Sequence, residues 1–387
     1  MDHTLFDDHL YLPGPTPVPA AAALAQALAM TDHRGARFEA LLADVGQRLA
    51  RLFGTSGQVV VLPSSGTGGL EAAIVNLFSP GDRVLQVVAG VFGAKWADQA
   101  EAMGLIVDRL EVPSGEAVRA EDVASRLGQA AYAGVLVTQN ETSTGVLQDV
   151  RAVARVVREK APESLVVVDA ISGFPAVPLP LDAWQVDAAV SGSQKAFMLP
   201  PGLAFVAVGP RAIAAARRER PRRYYFDLRP YLDGPTPYTP AVSLYYALET
   251  VLGMLEREGE GGRERRHRTL MTIVRAGARA IGLEPLAADA VASPTVSAFR
   301  PPRGVTPKAL KAAGAEIGAL YGGGLGRLAD EVMRVGHVGY LTPLDAVASI
   351  AALEMAVARA GGPPADGRGA RAGVDAWQAG EAALAQA

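Results

Sequence analysis

The sequence predicts an α/β protein: a mainly parallel central sheet with helices on both faces, followed by a smaller α+β domain. Three observations carry this reading. From residue 59 to about 208, short β-rich runs alternate with helical ones, the order that crossover connections between parallel strands require. Those runs are continuously apolar, as strands covered on both faces must be. Beyond about residue 250 the pattern turns to mixed helices and strands. The expected division is an extended segment over 1–19, a large domain over 20–250, a small domain over 251–361 and a flexible tail over 362–387.

Composition bounds the function. A chain of 387 residues, 49% hydrophobic and 20% charged, can bury a sizeable core. A net charge of -3 sets up no field that would recruit nucleic acid or an anionic membrane. The chain has no cysteine, which excludes disulfides, thiolate metal sites and cysteine nucleophiles. No apolar run reaches the roughly 18 residues needed to span a bilayer, and the N-terminus carries no apolar signal core. A soluble, cytoplasmic protein is expected.

In order, the proline-rich stretch 12–19 reads as extended chain. An alanine-rich helix is expected over 20–30, then a turn, then an amphipathic helix over 36–53. Strands are expected over 59–62, 83–89, 134–137, 165–168, 188–190 and 203–208, with helices over 70–78, 95–103, 120–128 and 150–160. The basic cluster 217–223 is broken by Glu219 and Pro221 and reads as a solvated surface turn. A rigid extended segment follows over 235–240, then a long helical stretch over 242–282. The small domain offers strands over 295–299 and 332–336 and helices over 307–320 and 343–360. Residues 361–373 are rich in Gly, Pro and Arg and read as mobile, with a short helix over 374–387.

Five places carry candidate chemistry. Ser64-Ser65-Gly66-Thr67-Gly68-Gly69 sits between a strand and a helix. Free backbone N–H groups and the helix dipole make such a junction an anion site, although a plain structural turn reads the same way. Asp169 ends an apolar run. A carboxylate there needs a partner, either the N–H groups of the following turn or a protonated ring nitrogen. The stretch 140–145 supplies hydroxyls at a third strand end. Arg334 lies within an apolar strand, where its fork fits an internal carboxylate or a substrate carboxylate. Lys195 follows the strand 188–190 in a turn of small residues; read alone it is a solvated loop lysine, and such a place is also where a Schiff base can form with an aldehyde. His33 and Arg34 either bring charge to the site or cap a helix; the structural reading is preferred. A phosphate cup, then an acid, then a lysine 26 residues after that acid (195 − 169) describe, in this order, a pyridoxal phosphate site.

Four motifs carry a family resemblance: Glu141-Thr142-Ser143-Thr144-Gly145, Val168-Asp169-Ala170, Ser191-Gly192-Ser193-Gln194-Lys195 with Pro200-Pro201-Gly202, and Arg334-Val335-Gly336. On these the chain resembles the class V pyridoxal-phosphate aminotransferases, which include alanine–glyoxylate and serine–pyruvate aminotransferases. The likeness extends from Leu12-Pro13-Gly14-Pro15-Thr16 to about residue 360. It implies fold type I, the cofactor pyridoxal 5'-phosphate, and amino transfer from a small amino acid to a 2-oxo acid in two half-reactions. It also implies a homodimer whose active site is shared between subunits, without nucleic acid or membrane. By resemblance, Lys195 is the Schiff-base lysine and Asp169 the acid on the pyridine nitrogen. Ser65, Gly66, Thr67 and Gln194 hold the phosphate, Thr142 contacts the ring oxygen and Phe92 stacks on the ring. Arg334 clamps the substrate carboxylate. Tyr238 and Thr239, with Thr236 as an alternative, match a segment that reaches the neighbouring subunit's phosphate. The chain has Thr67 where histidine is common and Phe92 where tryptophan is common. The contexts of 291–294 and 238–240 are also similar to pyridoxamine–pyruvate aminotransferase. A cofactor-binding protein without turnover and a lyase on the same fold are the alternatives.

Overall fold

A computed structural model describes residues 8–219 and 223–385. The chain begins with β1 (His9–Tyr11), α1 (Ala20–Ala25) and α2 (Ala36–Phe53). The large sheet is then built through β2 (Gln58–Leu62), α3 (Gly66–Leu77), β3 (Arg83–Val88), α4 (Val91–Ala102), β4 (Ile106–Glu111), α5 (Ala120–Leu127) and β5 (Gly134–Thr138). A small ribbon, β6 (Asn140–Glu141) and β7 (Val146–Leu147), precedes α6 (Val150–Lys160), β8 (Leu165–Asp169), α7 (Leu181–Trp184), β9 (Ala188–Gly192) and β10 (Ala204–Val208). Next come α8 (Pro210–Arg218), α9 (Arg229–Asp233), α10 (Val242–Glu258) and α11 (Glu260–Ala280). The second sheet and its cover are β11 (Glu284–Pro285), β12 (Val296–Arg300), α12 (Pro307–Ala315), β13 (Ala319–Gly323), β14 (Met333–Gly336), α13 (Pro343–Arg359) and α14 (Arg368–Ala385).

The large sheet has the order β2-β10-β9-β8-β5-β3-β4. Only β10 runs against its neighbours. Alternate residues along each strand enter opposite cores: Val61, Leu85, Val135 and Val166 on one face, Val60, Val84, Leu136 and Val167 on the other. This two-sided burial is why the runs read as continuously apolar. The second sheet, β1-β13-β14-β12-β11, packs on α11 and α13 through a third core that includes Leu270, Phe299, Val335 and Ile350.

The structure departs from the sequence expectations in several places. The helix expected over 20–30 stops at Ala25, because it buries only Ala22 and has no apolar face to hold further turns. The stretch 242–282 is two helices, divided at Gly259, whose φ of 72° ends one and opens the next. The helix expected over 307–320 ends at Ala315; a turn at Gly318 (φ 72°) leads into β13, which pairs with β1 and β14. The segment 361–373, expected to be mobile, contains the start of α14. The buried Glu354 carboxylate accepts from the N–H groups of Asp366, Gly367, Arg368 and Gly369 and so caps that helix. In the basic cluster, Arg223 is buried and donates to Val75 O and Ala216 O; residues 220–222 lie outside the described residues, as do 1–7 and 386–387. Among the described residues no helix is long and apolar enough to cross a membrane.

Candidate active site

Strands β2, β3, β5, β8 and β9 all point the same way, so their carboxyl ends share one edge of the sheet, the usual ligand position in such sheets. Each candidate residue between 64 and 195 lies at or just beyond one of these ends. Asp169 closes β8, paired in register with Val190 of β9 and Thr138 of β5. Lys195 stands three residues beyond β9. Both line one cleft of about 300 Å3, together with Ser65, Thr67, Phe92, Thr142 and Gln194.

Lys195 sits in a pinned turn. The Ser193 hydroxyl donates to Pro200 O and accepts from Leu203 N, and Met198 N donates to Lys195 O at 2.9 Å. The ammonium donates to Pro13 O at 2.6 Å. Burial, with the Arg334 cation adding to it, lowers its pKa from 10.5 to about 8; Asp169 acts the other way. Asp169 is 5% exposed, and its Oδ1 accepts from Ile171 N at 3.0 Å. That bond is the turn contact anticipated from sequence. It is insufficient alone: burial still pushes the carboxyl up to about 7, with Glu141 adding to the rise. A cation opposite this carboxylate would restore its charge.

The cup is the N-terminus of α3. Ser65 makes no side-chain cap, and Gly69 is the first amide with a partner inside the helix, Ser65 O at 3.1 Å. The N–H groups of Gly66, Thr67 and Gly68 are therefore free at the positive end of the dipole. Gly66 keeps the cup open, since a Cβ would lie 2.6 Å from the Ile171 side chain, which would have to shift. Gln194 adds an amide whose Oε1 is buried without a partner.

Phe92 lies on the first turn of α4. Glu141, fully buried, holds that turn by accepting from Phe92 N and Gly93 N, and it accepts again from Ser143 N and Oγ. Lys95, one turn further along α4, places Nζ 5.6 Å from the Phe92 ring centroid. Thr142 donates to Ser172 Oγ at 2.8 Å. Arg334 is 8% exposed and stands beside the cleft, donating to Gly323 O at 2.7 Å and Thr142 O at 3.3 Å. Among the described residues it has no carboxylate partner, so the internal salt bridge open from sequence does not form; burial lowers its pKa to about 10.

Tyr238 and Thr239 do not join this cleft. Tyr238 stacks on Tyr225 (centroids 5.1 Å apart) and donates to Tyr224 O, while Thr239 is exposed. Thr236 lines a different groove, between α2 and β2. His33 is half-buried with no partner for Nε2, away from the cleft. Sequence reasoning named Asn140 only as part of the stretch 140–145, without a role, and missed Ser172 and Trp96; all three line the cleft. Asn140 Nδ2 donates to Ser172 Oγ and Thr295 Oγ1, leaving its buried Oδ1 free. Its place on β6, two residues beyond β5 and directly before Glu141, is the signal that could have found its role. Among the described residues no group of three or more His, Cys, Asp and Glu is placed to hold a metal ion.

An anion cup, an aromatic wall, a buried acid and a desolvated lysine suit a flat, phosphorylated, cationic ring bearing a carbonyl. The family model described as Aminotransferase class-V matches residues 21–298. The chain belongs to the class V aminotransferases. Among similar proteins, the L-aspartate–glyoxylate aminotransferase of Paracoccus denitrificans is 36% identical over 379 residues, 95% of this chain and 96% of that protein. A Synechococcus protein described as the small subunit of a soluble hydrogenase is 37% identical over 360 residues, 91% and 93% of the two chains. The crystal structure of pyridoxamine–pyruvate aminotransferase from Mesorhizobium loti superposes with a TM-score of 0.92 at 28% identity, covering 98% and 99%. This class V aminotransferase is a transaminase, on the fold type I architecture that its structural neighbours share.

Proposed function

We propose that this transaminase uses pyridoxal 5'-phosphate to move an amino group from a small amino acid, of the alanine or serine type, to glyoxylate or pyruvate. The observation that carries this is the meeting of Lys195 and Asp169 in one cleft with the uncapped start of α3. The residues fit the group: free N–H groups for the phosphate, the Phe92 face for the ring, and a buried carboxylate in need of a cation. Ser65, Gly66, Thr67 and Gln194 would hold the phosphate, Thr142 the ring oxygen, Asp169 the ring nitrogen and Lys195 the aldehyde.

When bound, the cofactor joins an amine through its aldehyde and draws into its ring the electron pair left as a proton departs the adjacent carbon. The chain's residues do the rest. Arg334 binds the substrate carboxylate and thereby turns the Cα–H toward Lys195. Lys195 Nζ, with a pKa near 8, would take that proton and deliver it to the cofactor's former aldehyde carbon, two bonds away across the nitrogen. Asp169 would keep the ring cationic, and Phe92 and Ile171, which line the cleft, would exclude water from it. Small donors suit a cleft whose cations among the described residues are Lys95 and Lys195 in the lining and Arg334 beside it, the last used by the α-carboxylate. Tyr238 and Thr239, outside their own chain's cleft, support a homodimer in which that segment serves the neighbouring site.

A half-reaction screen tests the reading. Each candidate amine is mixed with the loaded protein, and loss of the cofactor's visible band is followed. Alanine or serine should bleach it and glyoxylate or pyruvate restore it, with ping-pong initial rates. Sequential kinetics, or cleavage of the donor without amino exchange, would count against it. Pyridoxamine as donor is a second reading, supported by the whole-chain likeness to pyridoxamine–pyruvate aminotransferase. Amino transfer from free pyridoxamine to pyruvate in the cofactor-free protein would favour it.

A further inference from the structure

Lys195 is gripped by a segment outside its own domain. The leading stretch Pro13–Thr16 follows β1, which pairs with β13 of the second sheet. It then passes between that sheet and the lysine turn. Gly336 lets it approach: a Cβ there would lie 1.9 Å from Leu12 O. Three contacts then converge on one residue. Pro13 O accepts from Lys195 Nζ at 2.6 Å. Gly14, at φ +132°, lies flat on the aliphatic stem; a Cβ there would sit 2.5–2.7 Å from Cδ, Cε and Nζ. The Thr16 hydroxyl, 4% exposed, donates to Lys195 O at 3.1 Å. The loop after β14 closes the grip. Gly339 (φ +85°) leaves room for both Thr16 Oγ1 and Lys195 O, and its N–H donates to buried His267 Nε2 at 3.2 Å.

One segment thus touches the lysine at its backbone oxygen, along its stem and at its amine. Pro13 O can only accept, and it accepts here from the free Nζ; joining a carbonyl compound would leave Nζ at most one N–H, so the contact best serves the lysine while it is detached. We propose that Pro13–Thr16 is a positioning clamp for the free amine of Lys195: Pro13 O parks Nζ in the half of the cycle when it is detached, and Thr16 fixes the backbone from which it swings. The proposal rests on the reading of Lys195 given above. It adds a job for the second sheet, which delivers the clamp.

The charged groups acting on Nζ are Asp169 at the end of β8 and Arg334 of β14. A carbonyl that accepts from the ammonium favours the charged form, with Asp169 and against burial and Arg334. Loosening the clamp therefore lowers the titration midpoint of Lys195. The test is amine acylation of Lys195 in the full-length, cofactor-free chain, followed by peptide mass as a function of pH. Thr16→Val removes the hydroxyl at nearly constant shape, and Met198 N still satisfies Lys195 O. Its midpoint should fall, by up to about one pH unit where the Pro13 O bond to the ammonium is lost with the hydroxyl, that being the size of one hydrogen bond to a charged group, with the melting temperature little changed. Thr16→Ser should restore it. Gly14→Ala, which drives a methyl into the stem, should shift it as far or further. Midpoints equal to the parent's in whichever of Thr16→Val and Gly14→Ala folds would overturn the clamp. The labelling needs neither cofactor nor substrate. Its failure therefore speaks against the clamp alone, whereas the amine screen decides the transaminase reading.

Discussion

Lys195 and Asp169 are driven in opposite directions by the same burial, the lysine down to about 8 and the acid up to about 7. Each shift favours the neutral form of its group. The lysine's neutral form is the one that can take a proton, so turnover should rise with pH through a midpoint near 8. Arg334 contributes to that midpoint as a neighbouring cation. Arg334→Gln should move the rising limb to higher pH and raise KM for carboxylate substrates by roughly 10–100-fold, the loss of one to two charge-assisted hydrogen bonds. Initial rates across pH check both; an unmoved limb with unchanged KM would remove Arg334 from the site. The places of Lys195 and Asp169 at strand ends were legible in the sequence, Asp169 because it closes a continuous apolar run and Lys195 because it follows another in a turn of small residues. The roles of Asn140 and Ser172 were not. They are polar residues within polar stretches, and only the fold shows that their amide and hydroxyl face a cleft.

At the scale of elements, the strands buried on both faces and the apolar edge strand β2 were readable, while β4, β1 and β13 were not. β4, at the sheet's end, mixes Ile106, Val107 and Leu110 with Asp108 and Arg109 and offers no clear period, with Asp108 satisfied by Arg83 and Tyr132. β1 and β13 are short, and their pairing joins residues more than 300 apart in sequence (His9 with Ala319), which no local pattern reports. The same holds for α14. Its start looks like a linker, but a single distant carboxylate, Glu354, collects four of its N–H groups. Glu354→Ala should destabilise the chain by about 1–3 kcal/mol, since those donors lose their partner. Urea unfolding measures the loss, and amide exchange should accelerate first along 366–372. Exchange unchanged there would mean that the helix is held by its packing on α11 and α13. At the cup, Gly66→Ala should weaken cofactor binding while the fold survives, because the methyl's first obstacle is the movable Ile171 side chain. Equal affinity by equilibrium dialysis would show that the N-terminus of α3 is not the phosphate seat.

Across the whole molecule, the two sheets meet at the cleft. Asn140 and Ser172 of the large domain bond Thr295 before β12, and the leading segment returns the contact at Lys195. Two buried histidines brace the second sheet's side: His267 accepts from Gly339 N, and His337 bonds Pro294 O and Ser297 Oγ. Burial lowers each from 6.5 to about 3. The folded state then binds fewer protons than the unfolded state between those values, so this stability is complete above 6.5 and is lost as pH falls toward 3. Each histidine adds a slope of about 1.4 kcal/mol per pH unit, and Asp169, shifted the other way, offsets one of them between 3.8 and about 6.5. His337→Gln should flatten the pH dependence of the urea midpoint below 6.5; an equally steep dependence would show that His337 is already protonated when folded. The central claim is that Lys195 is the residue to which the cofactor is joined. Its most direct test is borohydride reduction of the purified, cofactor-loaded chain, followed by peptide mass mapping. The account predicts a single phosphopyridoxyl adduct on the peptide carrying Lys195 and none in Lys195→Ala; an adduct on another lysine, with turnover intact in that variant, would contradict it.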